Sequence, residues 1–116
     1  MLIFVYGTLK RGGSNHGYMR GQQFIAEADT LPKYRLYDLG GYPGMVAAES
    51  DGLSISGEIW EVNTDGLGRL DALEDIEGGE YARERIPMLP PHDELQVEGY
   101  RYLFPVTGCR DLGRSW

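Results

Sequence analysis

The run Leu2-Ile3-Phe4-Val5 constrains this chain more than any other. Four consecutive apolar residues rich in β-formers read as a buried strand. The pattern breaks at Gly7. A glycine directly after a buried strand marks a backbone that turns sharply or approaches another group closely. Thr8, Lys10 and Arg11 follow, then Gly12-Gly13-Ser14-Asn15, which is turn chemistry. A rigid strand thus delivers a loop whose main-chain N–H groups can point at a ligand, an arrangement that binds anions and developing oxyanions. From these residues alone an ordinary strand end with a polar turn stands beside that reading, because a single glycine-containing loop is a weak motif.

The rest of the chain is a series of short segments between turns. Gln22 to Leu31 alternates, with Phe24, Ala26 and Ala28 on one side, and Pro32 ends it. Tyr34 to Tyr37 is a further strand, Gly40 to Gly44 a tight loop and Met45 to Ala48 a returning strand. Asp51-Gly52 is a turn signal. The clearest strand is Ile55 to Val62, with Ile55, Gly57 and Ile59 facing one way and Glu58, Trp60 and Val62 the other. Tyr81 to Met88 and Leu95 to Phe104 alternate again, and Asn15 to Met19 suits a single helical turn. Pro105 to Trp116 has no clear periodicity. The 17 glycines are more than twice the usual ~7 %. Many short strands and one convincing helix predict a single α+β domain over residues 1–116, with the tail 105–116 unassigned and a strongly curved or barrel-like sheet.

Charge and composition narrow the function. The net charge of −7, with no basic stripe, argues against nucleic acid as a partner. No apolar run approaches the ~20 residues needed to cross a membrane, and the N-terminal run stops too soon and lacks the basic flank of a signal peptide. The lone Cys109 excludes an intrachain disulfide and fits a reducing, cytoplasmic setting. No base accompanies it, so it reads as an incidental thiol. The two histidines, His16 and His92, are far apart and no cluster has metal-ligand spacing, so no metal or cofactor is expected. The oligomeric state is open.

Asn63-Thr64-Asp65 supplies capping residues for a helix over about Asp65 to Asp75, which Gly78-Gly79 stops. At about 100° per residue from Leu67, Leu70 falls near −60° and Leu73 near −120°, defining the core-facing stripe. Glu74 falls near −20°, between Leu67 and Leu70, while Asp71 lies at the edge near +40°. A carboxylate on an apolar stripe loses hydration, its pKa rises, and it becomes suited to general acid–base chemistry. Two alternatives remain: Glu74 reaches out to solvent or pairs with Arg83 or Arg85, or Glu77, near −80° on a longer helix, takes the role.

Together these stretches resemble the γ-glutamylcyclotransferase-like family, which includes the γ-glutamylamine cyclotransferases and AIG2-like proteins. The resemblance rests on Tyr6-Gly7-Thr8-Leu9-Lys10-Arg11-Gly12 followed by Asn15-His16, and on Gly41-Tyr42-Pro43 before a strand. It also takes in Gly57 to Val62, Leu70-Asp71-Ala72-Leu73-Glu74, and Tyr81-x-Arg83. It implies a small mixed β-barrel with flanking helices. It further implies intramolecular aminolysis of a small-molecule γ-glutamyl amide or peptide, releasing 5-oxoproline and a free amine. Glu74 would be the acid/base, and the Tyr6, Gly7, Thr8 and Leu9 backbone would hold the γ-glutamyl group. Pro43 and Tyr81 would line the pocket, although a core tyrosine is an equal reading for Tyr81. Arg83 reads as a structural ion pair. Asp75 stands where the family often has glycine, a second carboxylate able to raise Glu74 further. The alternative is a non-catalytic small-molecule-binding or regulatory domain on the same fold.

Overall fold

The computed structural model describes residues 1–74 and 76–116; Asp75, the expected helix end and the second carboxylate beside Glu74, lies outside the described residues. Among them are eight strands: β1 (Leu2–Val5), β2 (Gln23–Asp29), β3 (Tyr34–Asp38), β4 (Pro43–Ala47), β5 (Ser56–Glu61), β6 (Tyr81–Arg85), β7 (Val97–Tyr102) and β8 (Arg110–Gly113). A short 3₁₀ helix spans His16–Met19 and one α-helix, α1, spans Thr64–Leu73. The fold is mixed α+β. None of these helices is long and apolar enough to cross a membrane.

Five strands form one sheet in the order β2-β5-β1-β7-β6, and β4-β3-β8 form a second. β1 is the central strand, antiparallel to β5 and parallel to β7. Its side chains alternate between two cores. Phe4 joins Leu36, Met45, Ile55 and Ile59 in the layer shared with the smaller sheet. Ile3 and Val5 join Trp60, Val62, Tyr100 and the helix residue Leu70 on the other face. Two buried faces and two hydrogen-bonded edges explain why the run must be continuously apolar.

The expected barrel does not form. The larger sheet stays open, with β2 and β6 as its outer strands, and Thr30–Met88 is an isolated bridge beyond their ends. Pro32, which has no N–H to extend a ladder, follows β2 and separates it from β3. The chain then enters the second sheet, which covers one face of the first, so layering replaces closure. The tail also departs from expectation: its Arg110–Gly113 segment pairs with β3 as an edge strand. Arg110 and Asp111 are exposed, so nothing in the residue pattern needed to alternate.

Helix α1 begins where expected. The Asn63 side chain accepts the Gly66 N–H at 2.8 Å, satisfying one of the free donors of the first turn. Leu70 is fully buried, and Leu67 and Leu73 pack partly buried against the same core. The helix ends at Leu73, ahead of Gly78-Gly79, and Glu74 is its cap, with φ −84° and ψ 2°. Truncating the anchor of this packing, Leu70→Ala, is expected to cost about 2–5 kcal/mol, read as a lower urea midpoint with an unchanged slope.

Candidate functional site

A cavity of about 350 Å³ opens where β1 ends, walled by the loop after it, the start of β4, the end of α1 and the start of β6. All seven residues expected at a site line it: Tyr6, Gly7, Thr8, Leu9, Pro43, Glu74 and Tyr81. Tertiary packing brings them together from four separate stretches of chain.

Two buried tyrosines fasten the wall. The Tyr6 hydroxyl donates to the Tyr100 carbonyl oxygen at 2.6 Å and accepts the Met45 N–H at 3.3 Å, tying the end of β1 to β7 and β4. The Tyr81 hydroxyl donates to the Pro43 carbonyl oxygen at 2.9 Å, and its ring meets Tyr102 edge-on. Tyr81 is therefore both a core residue and a wall residue. Burial, with the nearby negative charge of Glu74, raises both phenols far above their ordinary value, so they act as donors and not as bases.

The loop after β1 is held by its carbonyls. Lys10 N–H donates to the Gly7 carbonyl at 3.1 Å and Asn15 N–H to that of Thr8 at 2.9 Å. The Asn15 side-chain amide donates to Thr8 Oγ1 at 3.0 Å. His16 Nδ1 lies 2.9 Å from the Leu9 carbonyl oxygen, which can only accept, so that nitrogen carries the proton. Among the described residues, the N–H groups of Gly7, Thr8 and Leu9 donate to none of these partners. Three main-chain donors therefore remain available at the cavity wall. Gly7 is required by contact and not by a left-handed backbone: a Cβ there would lie 2.5 Å from Pro43 Cγ and 2.8 Å from Cδ.

Glu74 sits across from this loop on the cavity wall. Burial, and secondarily the charge of Glu80, raise its carboxyl to about 7. Among the described residues it has no ion pair; Arg83 instead binds Asp71 at 3.0 Å and Glu98 at 2.6 Å, and Tyr100 donates to Asp71 at 2.8 Å. Glu77 is exposed and does not line the cavity. Neither do His92 and Cys109. No group of three or more described His, Cys, Asp or Glu residues is arranged to hold a metal.

Glu80 and Tyr42 are site residues that the sequence reading missed. Both line the cavity, and the Tyr42 hydroxyl donates to Glu80 at 3.2 Å. Glu80 lies in a bend outside any periodic segment, so no alternation could have assigned it a face.

Two outcomes follow from this geometry. Gly7→Ala forces a methyl into the Pro43 ring, which is expected to lower unfolding free energy by about 1–3 kcal/mol in a denaturant titration. A carboxyl raised in the folded state binds a proton that the unfolded chain has released. Its stabilising contribution is full below the ordinary glutamate range and is lost as pH rises through about 7. Unfolding curves between pH 4.5 and 8 should show that slope in the wild type and lose it in Glu74→Gln.

The chain is similar to known proteins over nearly its whole length. The family model described as gamma-glutamyl cyclotransferase, AIG2-like, matches residues 3–116. A Vibrio cholerae protein is 46 % identical over 85 residues, covering 73 % of this chain and 70 % of its own. The gamma-glutamylcyclotransferase family protein YtfP of Escherichia coli is 36 % identical over 110 residues, covering 95 % and 89 %. The crystal structure of an AIG2-like protein from Mus musculus superposes with a TM-score of 0.82, with 29 % identity over 99 % of this chain and 86 % of that one. With that family model matching residues 3–116 and relatives this similar, the chain is a member of the γ-glutamylcyclotransferase family.

Proposed function

We propose that this protein converts a small γ-glutamyl amide or peptide into 5-oxoproline and a free amine. The observation that carries the reading is the pairing across one cavity of a carboxyl held near pH 7 with a loop whose main-chain donors are unspent. The substrate's own α-amine is the nucleophile, so tethering replaces a Ser or Cys nucleophile.

Glu74, as carboxylate, takes a proton from the α-ammonium. The freed amine attacks the γ-carbonyl carbon, closing the five-membered ring and pushing an electron pair onto the carbonyl oxygen. The Gly7, Thr8 and Leu9 N–H groups stabilise that oxyanion. As the carbonyl re-forms, the bond to the leaving nitrogen breaks and Glu74 gives that nitrogen its proton; the carboxylate so restored takes the second proton from the ring nitrogen and passes it to the freed amine, which departs as an ammonium ion and leaves a neutral lactam. Atoms balance without water, metal or cofactor. A pKa near 7 suits one group to both transfers, because neither protonation state is then strongly disfavoured. Tyr6 and Tyr81 hold the walls rather than exchange protons.

Incubation with γ-glutamyl amines, γ-glutamyl dipeptides and glutathione should yield 5-oxoproline from at least one of them. kcat/KM should rise with pH through about 7. Glu74→Gln should lose about 10²–10⁴-fold in kcat with the fold retained. Saturable binding of these compounds with no 5-oxoproline from any would instead identify a non-catalytic binding domain, and full activity in Glu74→Gln would move the proton transfers to another group.

A further inference from the structure

A second carboxylate, away from the cavity, is built into the support of the loop. Glu58 on β5 is buried, 6 % exposed. Its Oε1 accepts the main-chain N–H of Arg11 at 3.0 Å and the indole Nε1–H of Trp60 at 3.1 Å. Its Oε2 accepts the Arg11 Nε–H at 2.9 Å. Burial pushes its carboxyl up, but these donors and the guanidinium charge outweigh burial and hold it below the ordinary range. The Arg11 guanidinium also lies 3.8 Å above the Phe24 ring. The Trp60 ring, oriented by Glu58, meets both Phe24 and His16 edge-on, and His16 holds the Leu9 carbonyl.

One carboxylate therefore grips the loop twice, at Arg11 directly and at Leu9 through Trp60 and His16. We infer that Glu58 is a positioning residue that sets the orientation of the Gly7, Thr8 and Leu9 main-chain donors. The reasoning is geometric. The loop leaves β1 fixed at one end by Gly7 against Pro43, and the bonds to its carbonyls come from Lys10, Asn15 and His16 of the same segment, so the loop needs a further fixed point on a neighbouring strand to set its donors against the sheet. A main-chain N–H bonded to a buried carboxylate supplies that point, and a buried carboxylate that has lost its donors is costly enough to keep the bond closed. The catalytic consequence rests on the cyclotransferase reading above; the positioning itself does not.

Glu58→Gln tests this, because the amide can still accept from Arg11 N–H and Trp60 but turns an NH₂ donor toward the Arg11 Nε–H. Amide hydrogen exchange on the ligand-free protein gives a readout independent of turnover. The Lys10 and Asn15 amides, bonded to the Gly7 and Thr8 carbonyls, should exchange at least about tenfold faster, with Ile3 to Val5 in β1 unchanged. If the enzyme reading holds, kcat/KM should fall on the order of tenfold or more, mainly in kcat, while the acid limb near pH 7 stays in place. Arg11→Ala, which keeps the main-chain N–H but removes the guanidinium, should give a smaller change of the same kind. It also serves as the test should Glu58→Gln fail to fold. Wild-type Lys10 and Asn15 exchange in a folded variant, with only the melting temperature lowered, would overturn the inference. Absence of 5-oxoproline from the wild type would overturn the enzyme reading and leave the exchange result standing.

Discussion

β1 is hydrogen-bonded on both edges and covered on both faces, and the rest of the molecule depends on that. Its alternating side chains supply one core with Phe4 and the other with Ile3 and Val5. A strand so enclosed has little freedom at its end, and the loop leaving it inherits that rigidity. The Gly7 contact with Pro43 extends the constraint into the smaller sheet, while Tyr6 ties the same point to β7 and β4. The candidate site is thus a junction of both layers, with its backbone wall fixed before any ligand arrives. Preorganised dipoles of this kind need no rearrangement when charge develops.

Two carboxylates stand near that loop, Glu58 buried and Glu74 half-buried, and their surroundings drive them in opposite directions. Glu58 accepts three hydrogen bonds and faces a guanidinium, so it stays ionised. Glu74 has burial and a second negative charge, and among the described residues no cation, so its carboxyl rises toward neutrality. Side chains of one chemical type are thereby given different charge tendencies by environment alone, one held as a carboxylate and the other brought toward neutrality. Arg83 is engaged elsewhere, by Asp71 at 3.0 Å and Glu98 at 2.6 Å.

Much of this was legible in the chain itself. Short alternating runs mark the strands because side chains on a pleated sheet face opposite sides in turn, and that local rule holds for β5 almost residue by residue. The position of Glu74 between Leu67 and Leu70 on the helix wheel made a carboxylate carried toward apolar surroundings one of the open readings, beside a solvent-reaching or ion-paired Glu74. Gly7 after a buried run signalled a close approach, though not what would approach. By contrast, β8 could not be read, because an exposed edge strand has no alternation to show. Closure into a barrel was expected from the number of short strands, yet strand count carries no information on which strands pair.

The sequence by itself determined the local matters: which segments extend, where the helix starts, and which residue types stand at the end of β1 and of α1. Those follow from side-chain pattern and capping within a few residues of each other. Only the tertiary structure decided that Glu80 and Tyr42 join the same cavity, that Glu77 stays in solvent, that Arg83 is taken by Asp71 and Glu98, and that Glu58 grips Arg11. Each of these depends on which distant backbones come to lie side by side. That is settled by how two sheets and a helix share their apolar faces, which no local pattern encodes.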